Sequence, residues 1–124
     1  MKKLFSLNAL LLVILCLSFS NCKKNGLGGK AEIKGYAFYK SKTQKPTTFY
    51  IKYGAKSMPG SDVSKYDASS NSDTDGKFDF KNLYKGDYYI YAVSVDGGQT
   101  ITGGVHVSLS SSDFKDNIQI DLAP

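Results

Sequence analysis

Between residues 31 and 122, apolar side chains recur at alternate positions in short runs, and no segment carries a sustained apolar repeat at helical spacing. Alternation sends successive side chains to opposite faces of an extended chain, so each run has one face to bury. Glycine, asparagine, aspartate and serine interrupt the runs at short intervals, which is the punctuation of turns. A chain written this way is all-β, and seven strands joined by short loops argue for an antiparallel sandwich over any parallel sheet.

The predicted strands cover residues 31–39, 47–53, 63–68, 77–80, 87–95, 99–109 and 117–122. Phe49, Ile51 and Tyr53 share one face of the second; Phe78 and Phe80 point inward in the fourth; Ile118, Ile120 and Leu122 point inward in the last. Gly103 and Gly104 predict a kink or bulge in the sixth. Residues 31–124 form a single domain of the size common for sandwiches.

Residues 1–21 read as a leader rather than as part of the fold. Lys2 and Lys3 supply a basic start, and the apolar run over residues 9–19 is shorter than the roughly 20 residues a spanning helix needs. Its end, Leu17, Ser18, Phe19, Ser20, Asn21, Cys22, resembles the lipobox of bacterial lipoproteins, with phenylalanine and asparagine where leucine and a small residue are usual. That resemblance implies cleavage before Cys22, a diacylglycerol on its sulfur and acylation of its new amino group. Several acyl chains at about 0.8 kcal/mol per buried methylene hold a small domain permanently on a membrane. Lys23 after the cysteine, where aspartate would retain the protein at the inner membrane, implies an outer-membrane lipoprotein facing the periplasm. Residues 22–30, CKKNGLGGK, are predicted to be a short flexible tether, with Lys23 and Lys24 over anionic headgroups.

With Cys16 in the leader and Cys22 acylated, the mature chain has no free thiol and no disulfide. Its 14 lysines against 11 acids leave a net charge of +3 once Lys2 and Lys3 are gone, and every basic residue is lysine. Lacking arginine's forked donor, and with its lysines scattered, the chain does not match a nucleic-acid binder.

Asn71, Asp73, Asp75 and Gly76 begin like a calcium loop. Position twelve of that loop should be glutamate and is Asn82, and Phe78, Asp79 and Phe80 alternate as a strand where a helix is required. Asp75 and Gly76 instead predict a hairpin turn, leaving Asp73 and Asp75 as a weak metal candidate and no expected cofactor.

After the turn, Leu83, Gly86 and Tyr88 follow the order of a tyrosine corner, in which a strand tyrosine lies inward and its hydroxyl bonds a backbone group upstream. Together with the glycine-bearing first strand and the closing strand, this segment resembles the carboxypeptidase regulatory-like, transthyretin-type family. The resemblance covers nearly all of residues 31–122 and implies a Greek-key sandwich; about function it is almost silent. Enzymes of related topology use histidine and arginine or two histidines with two tyrosines, and neither set can be assembled from a chain with one histidine, His106. The expectation is a non-catalytic protein.

If Tyr88 and Ile90 face inward, then Tyr89, Tyr91 and Val93 face outward, as does Tyr50 on the second strand. Two functions follow. One is a structural or protein-interaction module of the cell envelope; the other is a glycan- or peptide-binding module with Tyr50, Tyr89 and Tyr91 as its platform.

Overall fold

The computed structural model describes residues 24–124. Cys22 and the leader lie outside the described residues. Eight strands form two sheets: β1 (Leu27–Tyr39), β2 (Lys42–Thr43), β3 (Thr47–Tyr53), β4 (Ala68–Asn71), β5 (Lys77–Leu83), β6 (Gly86–Asp96), β7 (Gln99–Leu109) and β8 (Phe114–Asp121). In the first sheet, β1 pairs with β2 and β5 and, separately, with β8; the second runs β4-β3-β6-β7.

Side-chain alternation turns into burial as elementary geometry requires. Ile33, Phe49, Ile51, Phe78, Leu83, Tyr88, Ile90, Ile101 and Ile120 are fully buried between the sheets. Phe49 and Phe78 meet across the gap with ring centroids 4.5 Å apart, and Phe80 packs on Phe78 at 5.6 Å. Burial of each such side chain is worth about 1.5–3 kcal/mol.

Four features differ from the sequence reading. First, β1 begins at Leu27, so residues 27–30 belong to the strand rather than to a tether. Their glycines mark a close approach: a Cβ on Gly29 would strike the Leu83 carbonyl, where the β1–β5 register shifts. Second, of the strand predicted over residues 63–68, only Ala68 is extended in a sheet. Val63–Lys65 is a 3-10 turn capped by Asp62, whose carboxylate accepts from the Ser64 amide at 3.1 Å, and β4 starts only at Ala68. Third, β8 lies parallel to β1 while the other pairings are antiparallel. Parallel and antiparallel strands share the same two-residue period, so alternation carries no direction. Fourth, β7 pairs with β6 through an unbroken register from Gly86↔Leu109 to Asp96↔Gln99, with no bulge at Gly103 or Gly104. These glycines answer to crowding instead: a Cβ on Gly103 would strike the Asp121 carbonyl, and one on Gly104 the Tyr89 ring.

One edge of the sandwich is closed by the chain end. Thr102 and Ala123 exchange backbone hydrogen bonds of 3.0 and 2.9 Å, and the Leu122 amide donates to the Phe38 carbonyl at 2.9 Å. The closing residues thus touch both sheets.

Candidate binding face

The outer face of the second sheet carries the tyrosines singled out from sequence. Tyr50 on β3 and Tyr91 on β6 are direct cross-strand partners, their ring centroids 6.4 Å apart. Over them lies Tyr66, which the sequence reading missed: its ring stacks on Tyr91 at 5.6 Å and 18° and stands 6.0 Å from Tyr50. Tyr91 is consequently buried, at 5% exposure, rather than presented to solvent. Alternation gave its direction correctly, but a covering loop is a tertiary event that a period of two does not encode.

The covering loop is held at both ends of its reach. The Asp67 amide donates to the Ile51 carbonyl at 2.8 Å, and the Asp67 carboxylate accepts from the Tyr53 amide at 2.7 Å. The Tyr66 hydroxyl donates to the Gly60 carbonyl at 2.8 Å. Removal from water, with Tyr89 and Tyr91 nearby, pushes the Tyr66 phenol up to about 12. Tyr89 is half-buried beside this cluster with its ring across Gly104, and burial raises its phenol also.

On the other flank of Tyr50 opens a groove of about 280 Å³ lined by Pro46, Thr48, Tyr50, Val93, Ser94 and Val95. Val95 is 58% exposed, a large apolar side chain facing water. The wall below it is rigid for a polar reason. Ser94 donates to the Pro46 carbonyl at 2.7 Å and accepts from the Gln44 amide at 3.1 Å, while Thr47 donates to the Gln44 carbonyl at 2.8 Å. All three side chains are buried, and buried, satisfied networks of this kind fix a unique local geometry. Thr48 reaches Asn71 on β4 at 3.2 Å, so hydroxyl and amide groups border the apolar strip.

The remaining candidates fall elsewhere. Asp73 Oδ1 accepts from the amides of Asp75 and Lys77 at 2.8 and 2.9 Å, and the Gly76 amide donates to the Asp73 carbonyl at 3.0 Å. Those amide bonds hold the Asp73 carboxyl below the usual carboxylate range; its Oδ1 serves the turn. Among the described residues no cluster of three or more metal-ligating side chains occurs. Tyr88 is fully buried, with its hydroxyl donating to the Tyr84 carbonyl at 2.6 Å. Leu83 and Gly86 are buried beside it, and Gly86 has φ 143, with Asn25 where a Cβ would stand. His106 is exposed on β7 and shares a 2.9 Å hydrogen bond with Asp87, a contact that lowers the Asp87 carboxyl.

No protein-family model matches the chain, and no curated protein matches it at significance. A crystal structure from Pseudomonas aeruginosa, of a protein provisionally assigned as carbohydrate-binding, superposes with a TM-score of 0.53 at 19% identity. The match covers 78% of this chain and 91% of that one. Likeness at this identity concerns the fold: two all-β sheets packed face to face.

Proposed function

We propose that the chain is a non-catalytic, lipid-anchored envelope module that binds a neutral glycan in the groove beside Tyr50. The observation that carries the reading is the lining of that groove: one tyrosine ring, two valines, a proline and two hydroxyl residues, without a charged side chain. An aromatic edge with apolar neighbours suits the C–H face of a sugar, and bordering hydroxyl and amide groups suit its hydroxyls. Tyr66 and Tyr91 serve as the buttress that holds Tyr50, a role different from the three-ring platform expected from sequence. The carbohydrate assignment of the similar fold from Pseudomonas aeruginosa agrees with this reading. The lipid on Cys22, the outer-membrane location and the transthyretin-type kinship inferred from Leu83, Gly86 and Tyr88 belong to the same proposal.

A protein partner is the second reading, favoured by β4, a strand that among the described residues pairs only with β3 and so offers an edge of four residues. The two are separated by titrating the full-length chain with an array of neutral oligosaccharides. The chain has no tryptophan and nine tyrosines, so tyrosine emission reports binding, and the Tyr50→Ala variant assigns it to the groove. Binding that is abolished in Tyr50→Ala and retained in Tyr89→Ala is the expected result. A folded protein whose emission answers no oligosaccharide defeats the glycan reading.

A further inference from the structure

The amino-terminal end of the described chain is stitched into the fold. The Asn25 amide donates to the Lys85 carbonyl at 2.9 Å, the Tyr84 amide to the Gly26 carbonyl at 2.8 Å, and the Asp87 amide to Asn25 Oδ1 at 2.9 Å. Asn25, three residues after Cys22 in the sequence, is therefore already fixed to the fold. Three residues reach at most about 11 Å. That is close to the Debye length of roughly 8–10 Å, over which a charged lipid surface still acts.

The end of the sandwich held this near is basic. Lys24 and Lys85 line an open pocket of about 460 Å³ with Ser108, Ser110 and Ser111, and Asp87 is the one carboxylate in the lining. Lys56 and Lys24 both act on Asp87 electrostatically, and His106 is hydrogen-bonded to it. Positive charge thus surrounds a concave, hydroxyl-lined opening at the point where the chain enters the fold.

We propose that this end is a membrane-docking surface, with Lys24, Lys56 and Lys85 resting on the phosphates of anionic lipids and the strands standing upright on the bilayer. The proposal rests on the lipid anchor at Cys22 and is independent of the glycan reading. The anchor supplies the insertion and the lysines supply the orientation, each contributing attraction to an anionic surface. Upright strands turn both sheet faces sideways and leave the groove beside Tyr50 open to water. The Gly97 turn, at the other end of the 11-residue β6, then stands about 35 Å from the docking end.

The test uses the full-length chain expressed in a bacterial host, purified in detergent and inserted into preformed vesicles. One set is phosphatidylcholine; the other is phosphatidylcholine mixed with phosphatidylglycerol. Ser111→Cys marks the docking end and Gly97→Cys the far end, each labelled with a water-soluble maleimide, and intact mass reports the acyl chains on Cys22. We expect Ser111→Cys to label several-fold more slowly in the mixed vesicles and Gly97→Cys to label alike in both. Adding Lys24→Glu and Lys85→Glu should erase the difference. An acylated protein whose two ends label alike in both vesicles overturns the orientation alone. A mass without acyl chains overturns the anchor and the orientation together, while leaving the oligosaccharide titration to decide the groove.

Discussion

The hydroxyl of Tyr88 accepts the amide hydrogen of Gly26 at 2.9 Å, joining residues 62 apart in sequence at the end of the sandwich where the chain enters the fold. The same hydroxyl donates to the Tyr84 carbonyl at 2.6 Å. One buried oxygen therefore satisfies two backbone groups and ties the residue before β1 to the β5–β6 connection. Tyr88→Phe keeps the ring and removes both bonds, leaving a buried amide and carbonyl unpaired. A loss of about 1–3 kcal/mol is expected, read as a lower urea midpoint with an unchanged slope. An unchanged midpoint would show that water replaces the hydroxyl at no cost.

Asp73 tests the turn against the metal. Its carboxylate is occupied by the amides of Asp75 and Lys77, so Asp73→Ala should lower the thermal midpoint whether or not calcium is present. Calcium and chelator should leave the wild-type midpoint unmoved. A calcium-dependent rise would restore the metal reading of this loop.

Tyr66 predicts an alkaline dependence of stability. Its phenol is pushed up to about 12, first by removal from water and then by Tyr89 and Tyr91. The folded chain thus keeps a proton that the unfolded chain gives up near 10, the ordinary tyrosine value. Stability contributed by this group is complete below pH 10 and is lost as pH rises toward 12. Other tyrosines are raised as well, so the informative quantity is the difference between wild type and Tyr66→Phe. That difference should change between pH 10 and 12 and stay flat below 10.

Glu32 predicts the opposite end of the scale. It lies beside Asp79 on the outer face of the first sheet, and the neighbouring Asp79 carboxyl, followed by burial, raises its carboxyl. Glu32 Oε1 and Asp79 Oδ1 are both shielded from solvent without a hydrogen-bond partner. A raised carboxyl contributes stability below the ordinary glutamate value and loses it as pH climbs through the folded value. Glu32→Gln should therefore be more stable than wild type at pH 7, with the advantage shrinking in acid. A variant less stable than wild type at pH 7 would mean that the 3.8 Å contact of Glu32 with Lys34 outweighs the repulsion.

What could be read from sequence was whatever alternation and turn chemistry determine locally. β3 and β7 have the predicted bounds, Phe78 and Phe80 are buried, and the Asp73–Gly76 segment turns the chain. Properties that depend on distant contacts were not legible. Gly28 and Gly29 looked like a tether because the Tyr84 ring and Leu83 carbonyl that demand their smallness stand more than fifty residues away. Tyr66 was invisible because an irregular loop has no period, and its lid over Tyr91 turned one predicted platform ring into a support. The direction of β8 was equally hidden, since a strand's pattern reads the same along either heading.

The parallel pairing of β8 with β1 separates Asn25 from the residues that follow β8. β1 climbs away from Asn25, and β8 climbs beside it through eight residues, or about 26 Å. A reporter or affinity tag fused after Pro124 would consequently be carried at the end of the molecule opposite Asn25, while joining Pro124 to Asn25 would need a linker long enough to travel that height.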